Sequence, residues 1–270
     1  MNPAIKKSIL WLAFLTLILS SCKSEYAQTV QPTTVSFKTV SPKLPPIKEK
    51  PITVAVIDTG YGYSNSGDFT PPTNFLCKEG HYNFHQQNSD YKDFNSHGTN
   101  ISGIIDLYAH DADYCQIIML YYGVGSGFSN LRAMVEAIKW AIKLNVDFIN
   151  ISGGGTFEDI EEKSVVEEAL NKGITFVVAA GNDGIELKRE RGNCYYPACY
   201  DDRMIVVGST DDKGYRLNSS NYGPLVKFWE LGLNVKANNI SMSGTSQATA
   251  TVTGKMIAED WKRLKVKKRK

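Results

Sequence analysis

The stretch Ile52-Thr53-Val54-Ala55-Val56-Ile57-Asp58 decides the fold of this chain. It is apolar at nearly every position, whereas a strand with one face in water alternates apolar and polar residues. A strand of this kind is covered on both faces, which is typical of a parallel sheet between layers of helices. Four similar runs follow and are predicted as buried strands, at 116–122, 146–151, 174–179 and 204–207.

Helical patterns separate these apolar runs. Apolar residues recur at one-face helical spacing in two of the intervening segments, namely Ile101, Ile104, Ile105 and Tyr108 in the first, and Met134, Ile138, Ala141 and Ile142 in the second. A third pattern, 165–170, ends at the stop signal Asn171-Lys172-Gly173. The alternation predicts an α/β fold with three layers, α/β/α, around a mainly parallel central sheet.

The first residues have a different character from the rest of the 270-residue chain. Lys6 and Lys7 precede an apolar run over 9–19, which is too short to span a membrane and is typical of a signal peptide. The following Leu19-Ser20-Ser21-Cys22 resembles the bacterial lipoprotein signal, in which the cysteine receives lipid. We therefore expect removal of 1–21 and a lipidated Cys22. An ordinary secretory signal with an incidental cysteine is the alternative.

A lipidated Cys22 would place the protein in the cell envelope, outside the cytoplasm, because two or more acyl chains anchor a protein stably to a membrane. Lys23 follows the cysteine where some lipoproteins have aspartate, which by resemblance to Gram-negative lipoproteins favours the outer membrane. The polar, proline-containing segment up to residue 50 predicts a flexible tether. We expect one globular domain at 51–261 and a basic tail at 262–270.

The basic tail has two interpretations: the solvated end of a helix, which we favour, or a contact with anionic headgroups. Nucleic acid is not an expected partner, because the basic residues lack interleaved aromatic residues and a recognised motif. The chain as a whole is nearly neutral, with a formal net charge of +2.

Four cysteines remain besides Cys22, and an exported protein can pair them. Cys194 and Cys199 are close in sequence, with a proline between them to turn the chain, so they are the favoured disulfide. Cys77 and Cys115 then follow by elimination. Four free thiols are the alternative.

Ser246 lies in the small-residue run Ser243-Gly244-Thr245-Ser246-Gln247-Ala248-Thr249-Ala250, ahead of a predicted helix. A serine becomes a nucleophile at neutral pH only with a base and an orienting carboxylate. Asp58 ends the first strand, His97 opens a helix, and Asn182 follows the strand at 174–179. Taken singly, such an aspartate is more often a cap or turn former, such a histidine a helix start, and such an asparagine part of a turn. Because the carboxyl ends of parallel strands meet at one edge, we expect the strand-end residues to converge.

Together these segments resemble the subtilisin-like serine proteases over roughly 51–256. The matching segments are Val54-Ala55-Val56-Ile57-Asp58-Thr59-Gly60, His97-Gly98-Thr99-Asn100-Ile101-Ser102-Gly103-Ile104-Ile105, Ile149-Asn150-Ile151-Ser152, Ala179-Ala180-Gly181-Asn182 and Gly244-Thr245-Ser246-Gln247-Ala248-Thr249-Ala250. The order acid, base, nucleophile is that of the family. The resemblance implies that Asp58 orients His97 and that His97 activates Ser246. It implies that Asn182 and the backbone N–H of Ser246 form an oxyanion hole.

The resemblance also implies two backbone strips between which an extended peptide binds as an added strand. Their residues are Gly125, Ser126 and Gly127 on one side, and Ser152, Gly153 and Gly154 on the other. The walls of the primary specificity pocket would be the second strip and the segment Ala179, Ala180 and Gly181. All are small, so we expect a sizeable residue to enter. Gly153 replaces the leucine of many relatives, which leaves the neighbouring subsite open.

Extended peptides or proteins are the expected partners, and we expect a monomer. The chemistry needs no cofactor, and the histidines, such as His81 and His85, have no metal-ligand spacing. Relatives often bind structural calcium, but the sequence does not place such a site. Between Cys22 and the domain we expect no globular pro-domain. The leading hypothesis is a lipid-anchored serine endopeptidase; the alternatives are a peptide-maturation protease or transpeptidase and a catalytically silent peptide-binding protein.

Overall fold

The computed structural model describes residues 50–63 and 70–268. The predicted signal peptide, the lipidation site at Cys22 and the predicted tether up to residue 49 lie outside the described residues. Within them, no helix is both long enough and apolar enough to cross a membrane.

A seven-stranded sheet, parallel at every pairing, forms the centre of the domain in the order β2-β3-β1-β4-β5-β6-β7. Its strands are β1 (Ile52–Asp58), β2 (Tyr82–Asn83), β3 (Tyr114–Leu120), β4 (Phe148–Ile151), β5 (Thr175–Ala179), β6 (Ile205–Thr210) and β7 (Phe228–Leu231). The five strands predicted from apolar runs are all present. The two edge strands were not predicted, because β2 is two residues long and β7 is only half-buried.

Within the described residues, four α-helices accompany the sheet, and a short antiparallel hairpin joins β7 to the last of them. The helices are α1 (His97–Ala109), α2 (Gly127–Leu144), α3 (Ile160–Asn171) and α4 (Thr245–Lys268), and the hairpin strands are β8 (Val235–Ala237) and β9 (Ile240–Met242). α4 continues to Lys268, so the boundary predicted after residue 261 falls inside a helix.

Two hydrophobic clusters cover the two faces of the sheet. One joins alternate strand residues such as Ile57 and Phe176 to α2 and α3, and the other joins residues such as Val56 to α1 and α4. Val56 and Ile57 are both fully buried, which is why β1 lacks the polar alternation of a half-exposed strand. This arrangement confirms the predicted α/β/α fold. Each buried side chain of this size contributes about 1.5–3 kcal/mol.

The register of the sheet aligns the residues that follow its strands. Ile57, Ile151 and Val178 face one another across β1, β4 and β5. The next residue along each strand is Asp58, Ser152 or Ala179, so these three lie at one edge of the sheet. This is the edge at which open α/β sheets bind ligands.

The disulfide of the structure joins Cys77 to Cys115, and the favoured pairing of Cys194 with Cys199 was wrong. Cys77 donates its N–H to the carbonyl of Gln116 at 2.9 Å, so the segment around it runs beside β3 and brings Cys77 to Cys115. Cys194 and Cys199 are buried free thiols. Burial, together with a hydrogen bond to Cys194, raises the pKa of Cys199 to about 12. Closeness in sequence did not decide the pairing, because the tertiary fold brings the distant pair together.

Candidate active site

Asp58 and His97 are in direct contact at the carboxyl edge of the sheet. Oδ1 of Asp58 lies 2.7 Å from Nδ1 of His97, and the Thr59 N–H donates to the same oxygen at 2.8 Å. Asp58 is buried, whereas the His97 side chain keeps 25% of its surface exposed. Because Nδ1 of His97 is hydrogen-bonded to the Asp58 carboxylate, Nε2 is the ring nitrogen that remains to exchange a proton with a reacting group.

The charges around His97 favour its protonated form. Burial of the ring lowers the pKa of His97, but the negative charge of Asp58, the hydrogen bond to it and the charge of Asp93 together outweigh burial. The pKa of His97 therefore lies above its ordinary value of 6.5. An imidazolium formed during a proton transfer is stabilised by the same two carboxylates.

Asp93, which the sequence analysis missed, organises the loop that leads into His97. Its carboxylate accepts hydrogen bonds from the Thr59 hydroxyl at 3.0 Å and from the Thr99 hydroxyl at 2.7 Å. It also accepts from the backbone N–H groups of Asn95, Ser96 and Thr99 at 2.8–3.0 Å. Asp93 is 1% exposed, so this buried charge is stabilised by five donors. The spacing of Asp93 ahead of the His-Gly pair is the signal that could have found it.

Ser246 is the second residue of α4 and lies against the segment that follows β4. Its hydroxyl donates to the Ser152 carbonyl at 2.7 Å, and the Ser152 hydroxyl donates to the Ser246 carbonyl at 3.1 Å. Among the hydrogen bonds of the described residues, none joins Ser246 to His97. The acid and base are thus paired, while the serine hydroxyl is directed to the backbone.

Asn182 lies beside the start of α4 and its orientation is fixed. The N–H of Thr245 donates to Oδ1 of Asn182 at 2.9 Å, which leaves Nδ2 to donate elsewhere. The N–H of Gly181 donates to the Thr245 hydroxyl at 3.2 Å, so the segment after β5 is bound to the beginning of the helix. The first N–H groups of a helix have no partner within it and carry partial positive charge. The Asn182 amide and this helix end together favour negative charge next to Ser246.

A buried hydrogen bond connects the helix of the base to the helix of the serine. Nε2 of Gln247 donates to Oδ1 of Asn100 at 3.1 Å, and both residues are at most 1% exposed. The helices also approach closely along their length, since a Cβ added to Gly254 would lie 2.6 Å from the Ile105 carbonyl oxygen. The positions of His97 and Ser246 are therefore coupled through rigid packing.

An open cavity of about 280 Å³ lies over the Asp58–His97 pair. It is lined by Asp58, Thr59, Asn95, His97, Tyr121, Tyr122, Ser152, Gly153, Gly154 and Tyr195. A larger cavity of about 370 Å³, which includes Arg189, Asp201 and Lys227, contains none of the predicted site residues. Of these two cavities, the smaller is the candidate site because it contains the Asp58–His97 pair; Ser246 and Asn182 are not part of its lining.

The two predicted backbone strips differ in exposure and in their relation to this site. Gly125, Ser126 and Gly127 are exposed, and the Ser126 side chain caps α2 by accepting the Ser129 N–H at 3.2 Å. On the other side Ser152 is buried and Gly154 is exposed. The cavity brings together Asp58, His97 and the second strip, whereas the first strip is not part of its lining.

A tyrosine ring narrows the space between the predicted pocket walls, which bears on the expectation that a sizeable residue could enter. The ring of Tyr195 lies between Gly154 and Gly181, where Cβ atoms would be within 2.8 and 2.9 Å of it respectively. The Tyr121 hydroxyl would be 2.2 Å from a Cβ on Gly153, which explains why this position is glycine. The three glycines of the walls are close to other groups: Gly153 to the Tyr121 hydroxyl, Gly154 to the Tyr196 carbonyl and the Tyr195 ring, and Gly181 to the Asn221 amide and the same ring.

No group of three or more His, Cys, Asp or Glu side chains within 50–63 and 70–268 is arranged to hold a metal ion. The two histidines considered in the sequence bond to backbone instead. His81 contacts the Cys77 carbonyl at 2.8 Å and accepts the Ile118 N–H at 2.9 Å, and His85 contacts the Val124 carbonyl at 3.0 Å. These contacts with backbone groups indicate that both histidines stabilise the loops in which they lie.

The model of the subtilase family matches residues 49–259, which is most of the chain. The chain belongs to the subtilase family. One relative is a thermostable alkaline protease of Halalkalibacterium halodurans, which is 33% identical over 74% of this chain and 54% of the relative. Another is subtilisin DY of Bacillus licheniformis, which is 29% identical over 75% of this chain and 74% of the relative. A third relative, the minor extracellular protease Epr of Bacillus subtilis, is 31% identical over 74% of this chain and 30% of the relative. The chain therefore spans about half of the length of the first relative and less than a third of the length of the third.

Solved structures show the same fold as this subtilase. A cold-adapted subtilisin-like serine proteinase aligns with a TM-score of 0.60 and 26% identity over 75% of this chain and 72% of the other. A lanthipeptide protease aligns with a TM-score of 0.66 over 80% and 74%, and at 19% identity this likeness concerns the fold alone.

Proposed function

We propose that this subtilase is a serine endopeptidase in which Ser246 is the nucleophile, His97 the general base and Asp58 the orienting carboxylate. The observation that carries the proposal is the 2.7 Å contact between Asp58 and Nδ1 of His97 at the sheet edge where Ser246 and Asn182 also lie. A carboxylate in this position holds the imidazole in the tautomer whose Nε2 can accept a proton.

In the proposed reaction Oγ of Ser246 attacks the carbonyl carbon of a peptide bond while Nε2 of His97 takes the hydroxyl proton. Nδ2 of Asn182 and the Ser246 N–H donate to the resulting oxyanion, and one such donor is worth about 3 kcal/mol of transition-state stabilisation, a value measured in this family. His97 then protonates the leaving amine, and water resolves the acyl-enzyme by the same steps.

The serine hydroxyl must first leave the Ser152 carbonyl. A rotation about the Cα–Cβ bond of Ser246 would break the 2.7 Å hydrogen bond and direct Oγ away from the backbone. Catalytic hydrogen bonds are often long or poorly aligned without substrate and tighten only in the complex. The same observation favours a second candidate, a peptide-binding protein in which Ser246 stays bonded to Ser152 and no acyl-enzyme forms.

Covalent labelling separates these two candidates. The wild type should react with a fluorophosphonate probe, and Ser246→Ala should not. Ser243→Ala is the matched control, because Ser243 is an exposed serine three residues away in the same run. Well-folded wild-type protein that gains no Ser246-dependent label would exclude the enzyme and favour the binding protein.

The pH dependence of labelling tests the role of His97. A protonated imidazole cannot accept the Ser246 proton, so the labelling rate should fall as the pH drops through the pKa of His97. Because the surrounding carboxylates raise that pKa, the midpoint should lie above the ordinary value of 6.5. A rate independent of pH between 5 and 9 would argue against His97 as the base.

We further propose that an extended peptide binds as an added strand beside Gly125–Gly127 and Ser152–Gly154, and that lipid on Cys22 anchors the protein to a bacterial membrane. The first point is supported by the exposed backbone of Gly125 and Gly154, and the second by the sequence around Cys22. In cells fed an alkyne fatty acid, the wild type should become labelled and fractionate with membranes. Cys22→Ala should do neither, and unchanged fractionation of this variant would refute the anchor.

A further inference from the structure

The ring of Tyr195 connects two segments of the site. A Cβ added to Gly154 would lie 2.8 Å from Cε1 and 3.1 Å from Cζ of this ring. A Cβ added to Gly181 would lie 2.9 Å from Cγ and 3.0 Å from Cδ2. Opposite edges of one ring therefore lie against the two segments, and the ring spans the gap between them beside the open cavity.

Backbone hydrogen bonds hold Tyr195 in this gap. Its neighbour Tyr196 exchanges two of them with Gly155, at 2.7 and 2.9 Å, and so attaches the loop to the end of the second strip. The Tyr195 carbonyl accepts the Cys199 N–H at 3.1 Å. Burial, and secondarily the charge of Asp183, raise the pKa of Tyr195 to about 12, so the phenol is neutral at physiological pH. The ring is fixed by its own loop.

The gap is also where a substrate side chain would have to go. Gly181 directly precedes Asn182, and Gly154 lies two residues after Ser152, whose carbonyl accepts the Ser246 hydroxyl. A carbonyl carbon placed next to Ser246 and Asn182 therefore carries its side chain toward the space between Gly154 and Gly181. Tyr195 takes up part of that space, and a second large ring would compete with it for the same volume.

We propose that Tyr195 is a specificity-determining residue that limits the residue on the acyl side of the cleaved bond to Gly, Ala or Ser. This inference rests on the proposed function, because it assumes attack by Ser246. One methylene in a hydrophobic pocket changes rates about 10- to 200-fold, so a clashing aromatic ring should be disfavoured by at least about 100-fold.

Peptidyl phosphonates test the inference, because they modify the serine without needing turnover. In four such compounds, the carbon bonded to the reactive phosphorus carries the side chain of Gly, Ala, Leu or Phe. The wild type should be inactivated by the Ala compound at least about 100 times faster than by the Phe compound. Tyr195→Gly should raise the rate with the Phe compound by a similar factor. Tyr195→Phe, the matched control, keeps the ring and should keep the wild-type order.

The outcomes distinguish the inference from the proposed function. No Ser246-dependent reaction with a simple fluorophosphonate would refute the proposed function itself. Labelling by that probe, combined with equal rates for the Ala and Phe compounds or no reaction with any peptidyl compound, would refute the role of Tyr195 alone. If Tyr195→Gly does not fold, the wild type and Tyr195→Phe still decide, because both must prefer the Ala compound.

Discussion

The replacement Asp93→Asn should strongly destabilise the domain while it leaves the size and shape of the side chain unchanged. The carboxylate of Asp93 accepts five hydrogen bonds: Oδ1 accepts from Thr59, Asn95 and Ser96, and Oδ2 accepts from the N–H and hydroxyl of Thr99. All five partners are donors, and the side chain is 1% exposed, so water cannot replace a lost bond.

The structure sets the size of the effect. An asparagine amino group at the Oδ2 position would face the Thr99 N–H, so at least one bond is lost and one buried donor is left unpaired. The remaining bonds also lose their charge-assisted character, which is worth about 1.5–3 kcal/mol for a charged acceptor against about 0.5–1.5 for a neutral one. The lower desolvation cost of a neutral amide offsets part of this loss. We expect a net loss of about 3 kcal/mol in the free energy of unfolding.

Guanidinium chloride unfolding, followed by tryptophan fluorescence, measures this quantity. The Ser246→Ala background removes any self-digestion during the titration. Asp90→Asn is the matched control, because Asp90 is exposed and its side chain accepts only the Lys92 N–H at 3.1 Å among the hydrogen bonds of the described residues. It should change stability by no more than about 0.5 kcal/mol. If Asp93→Asn lies within about 1 kcal/mol of this control, the reasoning about the buried carboxylate is refuted.

Three further changes test other parts of the structure. Burial raises the pKa of Glu162 from 4.5 to about 7, so the folded state loses stability as the pH rises between these values. Glu162→Gln should remove about 2.5 kcal/mol of the stability difference between pH 5 and pH 8, measured by unfolding at both. Replacing Cys77 and Cys115 by serine opens a loop of 38 residues and should cost about 4 kcal/mol of unfolding free energy. Gly98→Ala places a Cβ 2.3 Å from the Gly60 carbonyl oxygen and should cost about 1–3 kcal/mol through overpacking and slow the labelling of Ser246.

Each of these three changes has a control and an outcome against it. Glu168→Gln removes an exposed carboxylate from the same helix, and an equal pH effect in both variants would contradict the assignment to Glu162. Cys194→Ser opens no disulfide loop, because Cys194 is a free thiol. A larger loss of unfolding free energy in Cys194→Ser than in the variant without Cys77 and Cys115 would contradict the second prediction. Gly127→Ala adds a methyl group in open space, and it should be better tolerated than Gly98→Ala.

The sequence predicts the parts of this fold that depend on local pattern. β1 is readable because a strand buried on both faces must be apolar at consecutive positions, and α1 because its apolar residues recur on one face. β7 has no such signal: its four residues are all half-buried, and Glu230 interrupts the apolar run. An edge strand takes its structure from its single neighbour, β6, and so it could not be predicted from its own residues.

The site likewise has residues that the sequence predicts and one that it does not. Asp58, His97, Asn182 and Ser246 occur in short motifs, and the structure brings Asp58 and His97 into contact and places Asn182 against the start of the Ser246 helix. The position of the Tyr195 ring between the predicted pocket walls could not be predicted. Tyr195 is 14 residues after Gly181 in sequence, and the contact between them arises only when the intervening loop folds back onto the sheet edge.

The order of the elements along the chain gives the coupling of α1 and α4 a consequence for biosynthesis. His97 begins the first helix of the described domain, whereas Ser246 lies in the last one. The two residues that join these helices by a hydrogen bond, Asn100 and Gln247, are 147 positions apart in sequence. A nascent chain that has emerged only as far as β9 contains the acid and the base without the nucleophile. In the proposed mechanism, reactivity therefore begins only when α4 docks, so a partly synthesised chain cannot yet attack a peptide bond.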